Sequence, residues 1–219
     1  MALARTVVPE LLDNLAVDDP AARRSRRDLK RVHRAMGTRS ILLRAFGDFR
    51  LPQVERPLRI LELGAGDGTL MLSVARALAP GWGRVQLTLL DRQALLEPTT
   101  IAAYAQLGWR ANGQVADVHD WAATMIRSSY SAQPEVRWDL IVTTLFLHHF
   151  EGEPLATLLS AIARGSERFI ACEPRRSSVV LLASQLIGTL GVNAVTKKWE
   201  RYALYSGVIV ENLTQATAR

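Results

Sequence analysis

Two adjacent histidines, His148 and His149, follow an apolar run, at a point where a strand would give way to a turn. Imidazole is the side chain whose ordinary pKa suits a general base near neutral pH. Neighbouring residues at a helix start point about 100° apart, so only one of the pair can face a pocket. A purely structural use of both, as caps or packing, is the competing possibility. Three carboxylates hold comparable positions: Glu62 inside an apolar run, Asp91 directly after the run 85–90, and Asp117 after the short run 114–116. An acid at a strand tip can accept hydrogen bonds from ligand hydroxyls or amines, and it can equally cap a turn or helix.

Between Glu62 and the next helix lies a glycine loop, Gly64-Ala65-Gly66-Asp67-Gly68. Glycines allow a tight turn and let a ligand approach the backbone with no Cβ in the way. The spacing is G-x-G-x-G, one residue shorter than the dinucleotide fingerprint, so the helix starts early for a pyrophosphate cradle. Glu62 also argues against a phosphate, because its carboxylate would repel the anion. It suits a ligand that carries a cation. Asp91 follows Gly68 by 23 residues, at the tip of the adjacent strand, where a carboxylate can take hydrogen bonds from both hydroxyls of a ribose. Asp117 could accept an adenine amino proton at the mouth of the same crevice, or simply close a surface turn.

These residues need a scaffold that brings strand tips together. Short apolar runs at 58–63, 85–90, 114–116, 140–145 and 169–172 alternate with helix-length stretches at 69–78, 97–107 and 154–163. That alternation predicts βαβ units and an α/β, doubly wound (Rossmann-like), mainly parallel sheet with right-handed crossovers. Residues 1–50 read as an N-terminal helical segment that lids the site. One helix starts at Asp19-Pro20 and stops at Gly37, with Leu29, Val32, His33 and Met36 on one face. A shorter helix spans 40–46, and a polar linker spans 47–57.

The chain has 219 residues, enough for one well-buried core, and 48% hydrophobic with 22% charged residues is globular composition. Of the 27 basic residues 24 are arginine, and seven basic residues fall within 23–34. That cluster is a solvated helix face or, as an alternative, a contact for RNA, an acidic partner or a phospholipid surface. No aromatic residue interleaves it, which disfavours stacking on single strands. One cysteine, Cys172, excludes a disulfide framework within the chain and leaves no zinc spacing. No metal site, no signal peptide and a cytoplasmic location are expected. The uncharged stretch 177–196 carries too many polar residues and glycines for a membrane span and is expected to pack as a helix over 177–190.

Glu62-Leu63-Gly64-Ala65-Gly66-Asp67-Gly68, Asp91, Asp117 and the run from Trp138 through Thr143, Thr144 and Phe146 to His148-His149-Phe150 resemble the ordered motifs of class I S-adenosylmethionine methyltransferases. The ending Leu147-His148-His149-Phe150 and Glu173-Pro174 are similar to the small-molecule branch, which includes quinone-biosynthesis and phenolic polyketide methyltransferases. The resemblance covers about residues 29–196 and implies S-adenosyl-L-methionine as cofactor. It implies that Gly64, Ala65, Gly66 and Gly68 pass under the methionine moiety, and that Asp91 with Arg92 borders the ribose. It also implies that Asp117 and Val118 flank adenine, and that Glu62 orients the loop or the methionine amine. The domain so implied spans 51–196, and the implied reaction methylates an oxygen or carbon of a small, lipophilic phenolic or quinone-type acceptor. His148 or His149 would be its base, His149 the less favoured because Phe150 beside it looks core-directed. No nucleic-acid partner is expected in this case; an RNA methyltransferase, or a cofactor-binding fold without turnover, are the alternatives.

In that family a fifth strand is followed by a helix and two more strands. Here the resemblance fades at Lys197-Lys198-Trp199, and 197–219 is an atypical tail. Its one strand-like stretch, 202–210, is interrupted by Gly207. The sheet is therefore predicted to have five or six strands, with an incomplete C-terminal edge that invites self-association.

Overall fold

The computed structural model describes residues 15–48, 55–128, 137–174 and 206–212. The described elements run α1 (Pro20–Ala35), α2 (Thr38–Gly47), β1 (Leu58–Leu63), α3 (Thr69–Trp82), β2 (Val85–Asp91), α4 (Pro98–Ala105) and β3 (Trp109–Val115). They continue with α5 (Val118–Ser128), β4 (Leu140–Thr144), a 3₁₀ turn (Leu147–His149), α6 (Gly152–Gly165), β5 (Arg168–Pro174) and β6 (Ser206–Asn212). The sheet order is β3-β2-β1-β4-β5-β6. The first five strands are parallel, and β6 lies antiparallel to β5 from Arg168↔Asn212 to Pro174↔Ser206. The order reverses between β1 and β4, and the tips of these strands open a crevice there.

Alternation along each central strand explains the two layers of helices. Leu58, Ile60, Leu87, Leu89, Val142 and Ile170 face a core shared with Leu42 and Phe46 of α2, Met71 and Val74 of α3, and Tyr104 of α4. Leu61, Leu63, Leu90, Ile141 and Phe169 face the other core, with Trp121 of α5 and Leu158 and Ile162 of α6. Both faces are apolar because both are covered, as a parallel sheet requires. Cys172 is buried in the first core.

Three sequence expectations change. The third strand is seven residues long and α5 follows it, although only 114–116 looked strand-like. It is an edge strand, exposed along most of its length past Trp109, so it lacks the apolar run that marks its neighbours. Gly207 does not break the last strand; it pairs with Glu173 inside the ladder. On α1 the buried residues are Ala22, Ser25 and Asp28, while Leu29, Val32, His33 and Met36 are half-buried. Its inner side lines a cavity over the strand tips, through Arg26, Leu29, Lys30 and His33. Asp19 caps this helix through Oδ1, which accepts from the Ala21 N–H at 2.7 Å, and Pro20 opens its first turn. The helix expected over 177–190 lies outside the described residues, and no helix among the described residues is long and apolar enough to cross a membrane.

At the opposite ends of the strands, Arg56 forks onto Asp139 with two hydrogen bonds of 2.7 Å, and Asp139 also accepts the Arg59 N–H at 2.7 Å. Burial alone would push the Asp139 carboxyl up, but the Arg56 hydrogen bond and the Arg59 N–H hold it below the ordinary range. This pin fixes the starts of β1 and β4 and so the relation between their tips.

Candidate active site

The glycine loop is built on β2 as much as on β1. The Gly64 and Ala65 N–H groups both donate to the Leu90 carbonyl, at 2.9 and 3.0 Å. Gly64 has φ +70°, and a Cβ there would overlap the Phe146 ring, so only glycine lets the β4 turn close over the loop. Gly66, in open space, donates its N–H to Asp91 Oδ2 at 2.8 Å. Asp91 Oδ1 accepts the Gln93 N–H at 2.9 Å. Asp91 therefore ties the glycine loop to the β2 tip, and each oxygen keeps a lone pair for a further donor.

A cavity of about 530 Å³ opens above these strand tips. Glu62, Gly64, Ala65, Gly66, Asp91, Arg92, Asp117 and Val118 line it together, although they come from three strands and their following turns. Gly68 does not; it is the N-cap of α3, with its carbonyl accepting from the buried Tyr104 hydroxyl at 2.8 Å. Asp117 accepts the His119 N–H at 2.8 Å, so it closes the turn into α5 as well as bordering the cavity. The wall opposite comes from α1, through Arg26, Leu29, Lys30 and His33. Arg23, Arg24, Arg27, Arg31 and Arg34 are exposed on the same helix.

Glu62 is the electrostatic centre. It is 3% exposed, and its Oε2 is a buried acceptor with no hydrogen-bond partner among the described residues. Burial first, then the neighbouring Asp91 and Asp67, push its pKa up to about 8. Asp67 behaves oppositely. Burial works to raise it, but Lys30 of α1, paired at 2.5 Å, and Thr69, which donates both its hydroxyl and its N–H, hold it low. His33 is pushed down to about 4 by burial, against the pull of Asp67, and its Nδ1 lies 3.3 Å from the Thr38 hydroxyl.

The turn after β4 forms the third wall. Leu145 adopts φ +50°, a conformation that a branched side chain reaches only under constraint. Its N–H donates to the Cys172 carbonyl at 2.8 Å. Glu173, at the tip of β5, accepts the N–H groups of Phe146 and Leu147 through Oε1, at 2.9 and 2.8 Å. Its Oε2 lies 3.0 Å from His148 Nδ1. The two histidines thus separate as neighbours must: His148 turns to Glu173, and His149 lines the cavity beside Phe146 and Phe150. His149 and Phe150 both line the cavity, whereas His148 is not among its lining residues.

Lys30, Asp67, Tyr104 and Gln93 were not singled out as site residues by sequence. Asp67 alone carried a local signal, its place inside the glycine loop; the others arrive by chain-distant contacts. Among the described residues no cluster of histidine, cysteine or carboxylates has the arrangement of a metal site.

No family model matches the chain, and no curated protein matches it. Among solved structures, the plantazolicin methyltransferase BpumL in complex with SAH aligns with a TM-score of 0.51 at 16% identity, over 84% of this chain and 64% of that one. The plantazolicin methyltransferase BamL, in complex with a triazolic desmethylPZN analog and SAH, aligns with a TM-score of 0.51 at 15% identity, over 88% of this chain and 63% of that one. The chain spans just under two thirds of the length of these structures and shares their doubly wound α/β fold.

Proposed function

We propose that the chain is an S-adenosylmethionine-dependent methyltransferase acting on an oxygen or carbon of a small, lipophilic phenolic or quinone-type acceptor. One observation carries this reading: a buried carboxyl, Glu62, keeps an unpartnered acceptor beneath a glycine loop that is tied to Asp91. A ligand with an ammonium group and a ribose answers both features, and an anionic pyrophosphate answers neither. That the BpumL and BamL structures hold SAH, the demethylated form of this cofactor, supports the same choice.

Glu62 and the Gly64–Gly66 backbone would hold the methionine end, Asp91 the ribose, and Asp117 with Val118 the adenine. When bound, the cofactor supplies a methyl group activated by a sulfonium. The chain positions the acceptor and excludes water, which is most of what such a displacement needs. Leu145, Phe146 and Phe150 with Leu29 of α1 offer apolar surface for a flat acceptor ring. His149 takes the acceptor proton, while His148 and Glu173 hold the turn that carries it. Calorimetric titration of the purified protein with S-adenosylhomocysteine, and separately with NAD, tests the reading. Saturable binding of the first alone is expected; tight NAD binding with no response to the sulfur nucleoside overturns it.

A further inference from the structure

Arg23, Arg24, Arg27 and Arg34 of α1 do not line the cavity; the helix displays them outward. At α-helical pitch the four fall within about 100° of its circumference and about 16 Å of its length. Among the described residues no carboxylate pairs with any of them. Asp28 is taken by Arg31 at 3.1 Å, Asp19 caps the helix, and Asp67 is held by Lys30, which lines the cavity at the edge of the stripe. Asp18, exposed before the cap, is the acid nearest in sequence. A second feature lies at the same rim. The segment before α1 is bound to the cavity wall: the Leu15 carbonyl accepts from Gln93 Nε2 at 3.1 Å, and the Val17 carbonyl from Arg26 Nη2 at 2.6 Å. Both donors belong to residues that line the cavity. Val17 is 41% exposed there, and Val115, which ends β3 beside the cavity-lining Ala116, is 61% exposed.

We propose that this rim, the outer stripe of α1 with Val17 and Val115, is a docking surface for an anionic phospholipid bilayer. Guanidinium groups match lipid phosphates and carboxylates by charge and by their forked donors. Each one near an anionic leaflet strengthens partitioning by about fivefold. Exposed apolar side chains beside such a stripe suit the headgroup boundary, where they leave water while the arginines stay with the phosphates. They have no such use against a nucleic-acid backbone, and no aromatic residue interleaves the stripe to stack on bases. The surface stands independently of the reaction proposed above. Its bearing on that reaction is access: a lipophilic acceptor concentrates in a bilayer, and this orientation sets the cavity rim against it.

The full chain is titrated with vesicles of phosphatidylcholine alone and of phosphatidylcholine and phosphatidylserine in equal parts, and bound protein is read by flotation. Saturable binding to the anionic vesicles alone, lost at high salt, is expected. Arg23→Gln combined with Arg27→Gln should weaken it by about tenfold or more, and Arg23→Lys combined with Arg27→Lys should leave it within about threefold. Val17→Ser combined with Val115→Ser should weaken it several-fold, whereas Leu159→Ser, at an exposed position of α6, should not. All the substituted side chains are exposed, and thermal melts verify that each variant folds. Equal binding to both vesicle types, anionic binding that survives the paired Arg→Gln change, or an equal loss in Leu159→Ser overturns the proposal. So does a single-stranded RNA that binds more tightly than the anionic vesicles and loses nothing in the valine variant, since that marks the stripe as a nucleic-acid contact. The vesicle assay needs no nucleoside, so a failure to bind S-adenosylhomocysteine counts against the methyltransferase reading and leaves this outcome unchanged.

Discussion

Glu173 and His148 meet at 3.0 Å across the tips of β5 and β4, and the same carboxylate holds two backbone N–H groups of the turn between them. The histidine that reaches the cavity, His149, is therefore carried on a turn that its neighbour anchors. His149→Asn is expected to cut turnover by about 10²-fold with cofactor affinity unchanged. Glu173→Ala should lower turnover through a loosened turn, and it should also lower thermal stability, which His149→Asn should not. Steady-state kinetics beside thermal melts of both variants separates the two roles; a fully active His149→Asn enzyme removes the base.

Asp91 serves the loop before it serves a ligand. Its two oxygens hold Gly66 and Gln93, so Asp91→Ala should weaken S-adenosylhomocysteine by about 2–4 kcal/mol through both lost ligand bonds and a loosened loop. Asp91→Asn keeps one acceptor and should lose less. A change below about tenfold in Asp91→Ala, read by calorimetry, would make the aspartate a turn residue only.

Lys30 bridges α1 to Asp67 in the glycine loop, with the lysine side chain 47% exposed and the carboxylate 31%. Such a pair contributes less than about 1 kcal/mol to stability, so Lys30→Met should melt close to the wild type. Its effect should lie in exchange: with α1 untied, the dissociation rate of S-adenosylhomocysteine is expected to rise several-fold in stopped-flow displacement. An unchanged rate would mean that α1 does not gate the cavity.

Asp139 is at the far ends of the strands, and its loss leaves the Arg59 N–H without its acceptor and the Arg56 guanidinium with the Pro57 carbonyl in place of the carboxylate. Asp139→Ala should destabilise the fold by about 2–3 kcal/mol, discounted because Arg56 is partly solvated, and leave ligand affinity nearly intact. Denaturant unfolding and calorimetry on one preparation check both halves.

The parts legible in sequence were those written in contiguous residues. The buried strands β1, β2, β4 and β5 announce themselves because both faces of each are covered, and the glycine loop because its turn needs positive φ. Of β3 only the end was read, at 114–116, because an edge strand keeps polar residues, and α5 hid because its start is fused to the Asp117 turn. The Tyr104 hydroxyl on Gly68, Gln93 bound to the Leu15 carbonyl and the Arg56–Asp139 fork join residues 36, 78 and 83 positions apart. Such pairings leave no local pattern. The division of labour between His148 and His149 was invisible for a related reason: it is set by Glu173, which lies 25 residues from His148.

Two groups of the cavity wall give the protein opposite pH responses. Glu62 is raised from 4.5 to about 8, so the folded state holds a proton that the unfolded chain has released. Its contribution to stability is full below pH 4.5 and is lost as pH rises through 8. His33 is lowered from 6.5 to about 4, so its contribution is present above 6.5 and is lost as pH falls towards 4. Between pH 6.5 and 8 the Glu62 slope stands without the His33 one, and it should vanish from urea unfolding curves in Glu62→Gln.

The most direct test follows the proton on Glu62 when the cavity fills. A cationic ammonium beside Glu62 favours the carboxylate, so a ligand bearing one must displace the proton held by a group with pKa about 8. S-adenosylhomocysteine is titrated calorimetrically at pH 7 in buffers of different ionisation enthalpy. The expected result is release of nearly one proton per ligand bound by the wild type and none by Glu62→Gln. Binding without proton release in the wild type, or the same release from both proteins, would contradict the assignment of Glu62 as the partner of the ligand's cation.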